Sequence, residues 1–154
     1  MPDEIPIIKE LFQEYADSLN FDLDFQDFRD ELETLPGKYS GPKGSILVAK
    51  ESGQTVGCVA VRPLGVEICE MKRLYVKPAH RGKKVGRELA VAIIEEAKRL
   101  GYGVMRLDTV EAMKEASALY RALGFQQIDA YTYNPLAGAM YFELKLEKGN
   151  CQEV

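Results

Sequence analysis

Between Lys77 and Arg87 the chain reads Lys-Pro-Ala-His-Arg-Gly-Lys-Lys-Val-Gly-Arg. This stretch holds two glycines, Gly82 and Gly86, and five basic side chains: Lys77, Arg81, Lys83, Lys84 and Arg87. It lies between an apolar, strand-like run and an amphipathic, helix-like one, so it joins a strand to a helix start. A helix start presents unpaired backbone N–H groups and the positive end of the helix dipole. Glycine lets a ligand approach the backbone closely, and basic side chains add charge-assisted bonds. The chemistry implied is phosphate binding. Neither G-x-x-x-x-G-K-[ST] nor G-x-G-x-x-G occurs here, which argues against a P-loop NTPase and a Rossmann dehydrogenase. A solvated basic turn ahead of a surface helix would use the same residues, and the loop alone leaves both readings open.

The elements that must position this loop follow from periodicity. Ile8, Leu11, Phe12, Tyr15 and Leu19 share helical spacing, as do Phe25, Phe28, Leu32 and Leu35 before the Pro36-Gly37 break. Residues 45–50 and 55–62 read as a hairpin across Ser52-Gly53, and 66–76 as a third strand. Residues 85–100 form a helix with Val85, Leu89, Ile93, Ala97 and Leu100 on one face, closed by Gly101, and Glu95 can pair with Arg99 on its outside. A strand at 104–108 follows. Asp108 or Thr109 is then expected to cap a helix carrying Ala112, Ala116, Leu119, Tyr120 and Leu123. Residues 125–133 and 139–146 are expected as two last strands, with a frayed tail from 147 to 154. The order is α-α-β-β-β-α-β-α-β-β. Three strands joined by short connections, then a β-α-β crossover, predict a mixed α/β sheet within a single domain spanning 1–154.

With these elements in place, Leu74-Tyr75-Val76-Lys77-Pro78, Arg81-Gly82, Gly86 and Leu89 resemble motif A of the GNAT-type N-acetyltransferases. Downstream, Ala116, Leu119-Tyr120 and Gly124-Phe125 resemble the family's motif B, A-x-x-L-Y-x-x-x-G-F. The resemblance covers about residues 5–146. It implies a sheet splayed between strands 66–76 and 104–108, helices on both faces, and acetyl-CoA in the gap. The backbone at Leu74, Tyr75 and Val76 would pair with the pantetheine arm. The amides of Gly82, Lys83, Lys84, Val85, Gly86 and Arg87 would hold the pyrophosphate, after Arg81. Three departures stand out. Lys84 occupies the place of the motif's first glycine, where a tight positive-φ turn is not expected to survive. Met113 replaces an asparagine that helps hold the cofactor in many members. The family's opening edge strand is missing or very short.

The same resemblance implies direct transfer of an acetyl group to a primary amine, with Tyr120 protonating the leaving sulfur. Without the motif, Tyr120 would read as a core tyrosine. Glu70 matches the position of a glutamate base. Strand alternation puts it on a face with Ile68, Lys72 and Leu74, where apolar neighbours would raise its pKa. A surface glutamate paired with Lys72, or a water relay in its stead, is the competing account. The acceptor site would draw on Asp22 and its neighbours from Asn20 to Asp24, Asp27, Tyr39, and the stretch Tyr131-Thr132-Tyr133-Asn134. Its acidic residues would attract a cationic amine. Asp108 and Thr109 face either this cleft or the next helix. A non-catalytic acyl-CoA-binding domain is the alternative function. The acceptor would be a small molecule or peptide, with a homodimer compatible with the family.

Composition narrows the field further. A net charge of -4 and a pI near 5.2 argue against nucleic-acid binding. With one histidine, His80, no His-rich metal site can form, and a Ser-His-Asp arrangement would need His80 in its charged loop. Cys58, Cys69 and Cys151 match no zinc spacing and are expected to be reduced thiols. No apolar run reaches the roughly 20 residues needed to span a bilayer, and Met1-Pro2-Asp3-Glu4 is unlike a signal peptide. The expectation is a cytoplasmic protein without membrane association.

Overall fold

The computed structural model describes residues 4–18, 28–110, 113–132, 134 and 138–146. Two amphipathic helices, α1 (Ile5–Ser18) and α2 (Phe28–Thr34), come first, and among the described residues no strand precedes them. Then follow β1 (Ser45–Glu51), β2 (Gln54–Pro63), β3 (Ile68–Val76), α3 (Val85–Arg99), β4 (Val104–Val110), α4 (Lys114–Ala122), β5 (Gln126–Ile128) and β6 (Ala139–Lys145). The expected order holds. The six strands form one sheet in the order β1-β2-β3-β4-β6-β5, antiparallel except for the β3–β4 pair. No helix among the described residues is long and apolar enough to cross a membrane.

Two apolar clusters cover the two sides of the sheet. Val59, Val61, Cys69, Met71, Met105, Leu107 and Phe142 pack under α3 and α4 through Leu89, Ile93, Ala97 and Tyr120. On the other side Cys58, Ala60 and Tyr75 meet Ile8, Leu11 and Phe12 of α1 and Phe28 of α2. Apolar burial on both faces is the main favourable term holding these layers together.

The sheet opens along one seam. β3 and β4 pair only at Ile68↔Val104, Cys69↔Met105 and Glu70↔Arg106. Beyond Glu70, β3 stays bonded to β2 as far as Gly57↔Val76, and β4 stays bonded to β6 as far as Val110↔Ala139. The inner edges therefore part while each outer edge is held. A β-bulge helps drive this: Cys58 pairs with Tyr75 but Ala60 with Lys72, so β3 carries an extra residue there. Arg73 sits in it at φ 62°. Bulges bend a strand and increase its twist. Gly57, opposite, leaves no room for a side chain, since a Cβ would lie 2.8 Å from the Tyr75 carbonyl oxygen and 2.9 Å from Leu89.

Several boundaries differ from expectation. β3 starts at Ile68, because residues 64–67 form a turn in which Leu64 and Gly65 both donate to the Ile68 carbonyl. β4 runs on to Val110, held by β6, so Asp108 and Thr109 are strand residues and cap no helix; Met113 precedes α4 and makes no side-chain cap. β5 shrinks to three residues. Arg99 pairs with Glu96 at 2.7 Å, while Glu95 pairs with Lys98. The bulge also corrects the face assignment of β3. Leu74 packs with the α3 side, whereas Tyr75 packs with α1, so Glu70 and Lys72 do not share a face with Leu74.

Candidate active site

The basic loop becomes a cradle at the N-terminus of α3. The helix's first bond runs from the Glu88 N–H to the Lys84 carbonyl at 3.0 Å, so the amides of Val85, Gly86 and Arg87 precede the helical ladder. Gly82 takes φ 84° with open space where a Cβ would be. Lys84 takes φ 68°, ψ 15°, the left-handed conformation. The expectation that a non-glycine residue would lose the positive-φ turn is corrected: the turn is present, with a lysine in it. The exposed lysine carries the strain that glycine would not. Lys84→Gly is therefore expected to stabilise the fold by about 0.5–1 kcal/mol, read as a higher urea midpoint with an unchanged m-value.

A groove of about 760 Å³ runs from this cradle into the seam between β3 and β4. Leu74, Tyr75 and Val76 of β3, Arg81, Gly82, Lys84, Val85 and Gly86 of the loop and helix start, and Met113, Ala116 and Leu119 beside α4 line it. Lys83 and Arg87 do not; Lys83 lies 3.7 Å from Glu51, and Arg87 is exposed. Arg81 donates through Nε to the Val76 carbonyl at 2.9 Å and lies over the Tyr75 ring at 5.5 Å, which fixes it at the end of β3. Lys77 turns away to Glu14 at 3.2 Å. Met113 offers the groove a thioether, whose sulfur accepts from Thr109 at 3.7 Å, and no side-chain amide.

At the apex of the seam the groove meets a smaller cavity of about 60 Å³. Tyr15, Leu74, Met113 and Ala116 line both, so the two spaces adjoin. Lys72, Arg73, Asp108, Thr109 and Tyr120 also line the cavity, with Met71 and Leu107. The Tyr120 ring is buried against Phe125 (5.7 Å) and Phe142 (6.1 Å). Burial raises its phenol above the ordinary value, with Tyr15 and Asp108 adding to the effect, so the hydroxyl keeps its proton near neutral pH.

Glu70 is 1% exposed but not among apolar neighbours, as strand alternation had suggested. Arg62 grips its Oε1 from Nε (2.8 Å) and Nη2 (2.7 Å), and the Tyr131 hydroxyl donates to Oε2 at 2.7 Å. It is neither a surface residue nor bonded to Lys72 by any short contact, and it does not line the cavity. The carboxylate that does is Asp108, which accepts from Asn134 at 2.9 Å and lies 4.0 Å from the Lys72 ammonium.

The predicted acceptor residues divide. Tyr131 stands by the seam, linked to Glu70, under the Arg106 guanidinium (5.6 Å) and edge-on to Tyr141. Tyr39 belongs to the core, 1% exposed and edge-on to Phe12. Asp22 and Tyr133, with the rest of Asn20–Asp24 and Asp27, lie outside the described residues. Sequence reasoning passed over Arg62, Lys72 and Arg73 as site residues. The signal was there: Glu70-Met71-Lys72-Arg73 sets three charges inside an otherwise apolar strand. Among the described residues no cluster of metal-binding side chains forms.

Comparison with known proteins agrees with this geometry. The Acetyltransferase (GNAT) family matches residues 6–125. An uncharacterised N-acetyltransferase of Schizosaccharomyces pombe is 42% identical over 150 residues, covering 96% of this chain and 92% of that one. A GNAT-family acetyltransferase structure from Staphylococcus aureus superposes with a TM-score of 0.75 at 21% identity, over 90% of this chain and 93% of that one. A GNAT-family acetyltransferase from Elizabethkingia anophelis, solved with acetyl-CoA bound, gives 0.59 at 21% identity, over 68% and 77%. The splayed sheet, the helix-start cradle and the two motifs thus have a common explanation: the chain belongs to the GNAT family of acetyltransferases.

Proposed function

We propose that this acetyltransferase transfers an acetyl group directly from acetyl-CoA to a primary amine at the apex of the β3–β4 seam. The observation that carries the reading is the continuity of the cradle's groove with the cavity that holds Tyr120. The fit to acetyl-CoA rests on the helix-start amides, the open space at Gly82, and the inner edge of β3, which has no β4 partner beyond Glu70. The amides of residues 82–87 would hold a pyrophosphate, Lys84 and Arg87 its outer charge, and the backbone at Leu74, Tyr75 and Val76 an extended amide arm. When bound, the cosubstrate supplies a thioester acyl carbon.

Tyr120 donates its hydroxyl proton to the departing sulfur, as a buried and still protonated phenol can. Glu70 is assigned a positioning role: with both oxygens engaged, it fixes Tyr131 and Arg62 at the acceptor side. Asp108, which lines the cavity, receives the proton that the amine gives up as the N–C bond forms. The non-catalytic alternative drew its support from Lys84, and that support weakens because the positive-φ turn persists. Cys58 and Cys69 are free, buried thiols, and burial pushes both up to about 12, which suits a reducing, cytoplasmic setting.

The test is calorimetric titration with acetyl-CoA and with CoA, followed by thiol release on adding amines. Binding of both, with thiol release that needs an amine, is the expected outcome. No binding of either at millimolar concentration would overturn the reading.

A further inference from the structure

The open seam lets side chains from opposite sides of the sheet line one space. Tyr15 comes from α1, in the cluster with Cys58 and Tyr75 on one side. Tyr120 comes from α4, in the cluster with Leu107 and Phe142 on the other. Both line the apex cavity, and so does Asp108. Of these three, Tyr15 also lines the groove that leads in from the helix-start cradle. It stands at the junction, where an acyl group carried along the groove meets the cavity.

The tyrosine hydroxyls along the seam differ in commitment. Tyr75 donates to Glu14 at 3.0 Å, Tyr131 to Glu70 at 2.7 Å, and Tyr141 to the Thr132 carbonyl at 2.9 Å. Those of Tyr15 and Tyr120 donate to no described residue. The Tyr15 ring is nonetheless held in place. It lies edge-on to Tyr75 with centroids 6.3 Å apart, and the Arg73 guanidinium stands over it at 5.9 Å. A fixed ring with a spare donor is the arrangement that stabilises a developing negative charge without reorganisation.

We propose that Tyr15 is a further catalytic residue, which hydrogen-bonds the thioester carbonyl oxygen as that oxygen gains negative charge. The inference rests on the acetyltransferase reading and deepens the account of that site. Three atoms change charge in the transfer. The amine nitrogen gives its proton to Asp108 as the N–C bond forms. The sulfur takes the Tyr120 proton as the C–S bond breaks. Between these events the carbonyl π pair moves onto the oxygen and then returns. Asp108 can only accept there, and the Tyr120 proton is spent on the sulfur. Tyr15 gives up no proton; it donates a hydrogen bond that strengthens as the charge grows. The proton on Asp108 then returns to Tyr120 through solvent, so the protein ends as it began.

The state of the phenol agrees. Burial raises Tyr15 above its ordinary value, with the Arg73 charge opposing the rise and Asp108 adding to it. The hydroxyl therefore keeps its proton near neutral pH, while the cation over the ring favours negative charge on its oxygen and makes it a better donor.

The experiment compares the parent with Tyr15→Phe, which keeps the ring against Tyr75 and removes only the hydroxyl. In single-turnover transfer to an amine that reacts with the parent, the rate is expected to fall by about 100-fold. Kd for acetyl-CoA and KM for the amine are expected to stay within about threefold. A second readout needs no turnover. With acetyl-CoA isotope-labelled at the carbonyl and no amine present, the infrared carbonyl band is expected at lower wavenumber in the parent than in Tyr15→Phe, because a donated hydrogen bond weakens the C=O bond. A merely structural tyrosine would leave that band where it is. A rate within about threefold of the parent, the same band in both proteins, or weakened acetyl-CoA binding in Tyr15→Phe would each overturn the proposal. If no amine reacts with the parent, the band comparison decides alone. Failure of acetyl-CoA to bind the parent is a different result, and counts against the acetyltransferase reading beneath.

Discussion

Tyr120→Phe is expected to lower kcat by about 100-fold or more while leaving the Kd for acetyl-CoA unchanged. The substitution keeps the ring and its packing on Phe125 and Phe142, and removes only the hydroxyl at the cavity. A proton donor to a thiolate must be protonated before the step and lie within reach of the sulfur during it. Burial meets the first condition, since it raises the phenol above its ordinary value of 10. The sign follows: the group stays in its acid form through and above neutrality, so its ionisation should not limit kcat at any pH below 10. The measurement is single-turnover acetyl transfer alongside calorimetry. A kcat within threefold of the parent would show that the sulfur leaves without this proton. Weakened acetyl-CoA binding would instead make Tyr120 part of the cosubstrate's cradle.

The order of elements and the cradle were legible because both depend on local signals. Period-2 and period-3.6 patterns, and the glycines around Arg81 and Lys84, act within a few residues of themselves. What was not legible depends on long-range pairing. The bulge at Arg73 is set by the register of β3 against β2, and it moves Leu74 to the opposite face from the one simple alternation gives. Asp108 reads as a helix cap because Asp before a helical pattern usually is one. The pairing of β6 with β4 extends the strand past it and turns it into a cavity wall. Glu70 looked like a base among apolar neighbours; its Arg62 partner lies across the hairpin and its Tyr131 partner 61 residues on. Lys84 failed for another reason: glycine is the cheaper occupant of a left-handed position, but not the only one.

The second large effect is expected at Glu31, where substitution by alanine should destabilise the fold by about 3–5 kcal/mol. Glu31 of α2 accepts from Arg73 Nε and Nη2, both at 2.8 Å, and the two residues are 6% and 3% exposed. The guanidinium also lies over the rings of Phe28 (5.3 Å) and Tyr15 (5.9 Å). Removing the carboxylate leaves a buried cation at the bulge that splays the sheet. Burial alone would raise the Glu31 pKa, but the Arg73 bonds and charge, aided by Lys38, hold it below the ordinary value. Its stabilising contribution is therefore present above the unfolded carboxyl pKa and lost as pH falls through the lower, folded one. Glu31→Gln should accordingly flatten the acid limb of stability against pH. Because breaking a buried pair differs from replacing it, the double variant Glu31→Leu/Arg73→Met should be more stable than either single one. The pair also ties α2, on the acceptor side, to the strand edge proposed to hold the cosubstrate. In the Glu31→Gln protein, assayed where it is folded, KM for the acceptor should rise more than Kd for acetyl-CoA. A loss below about 1 kcal/mol in Glu31→Ala, or an acid limb unchanged in Glu31→Gln, would mean that packing alone holds α2 to the bulge.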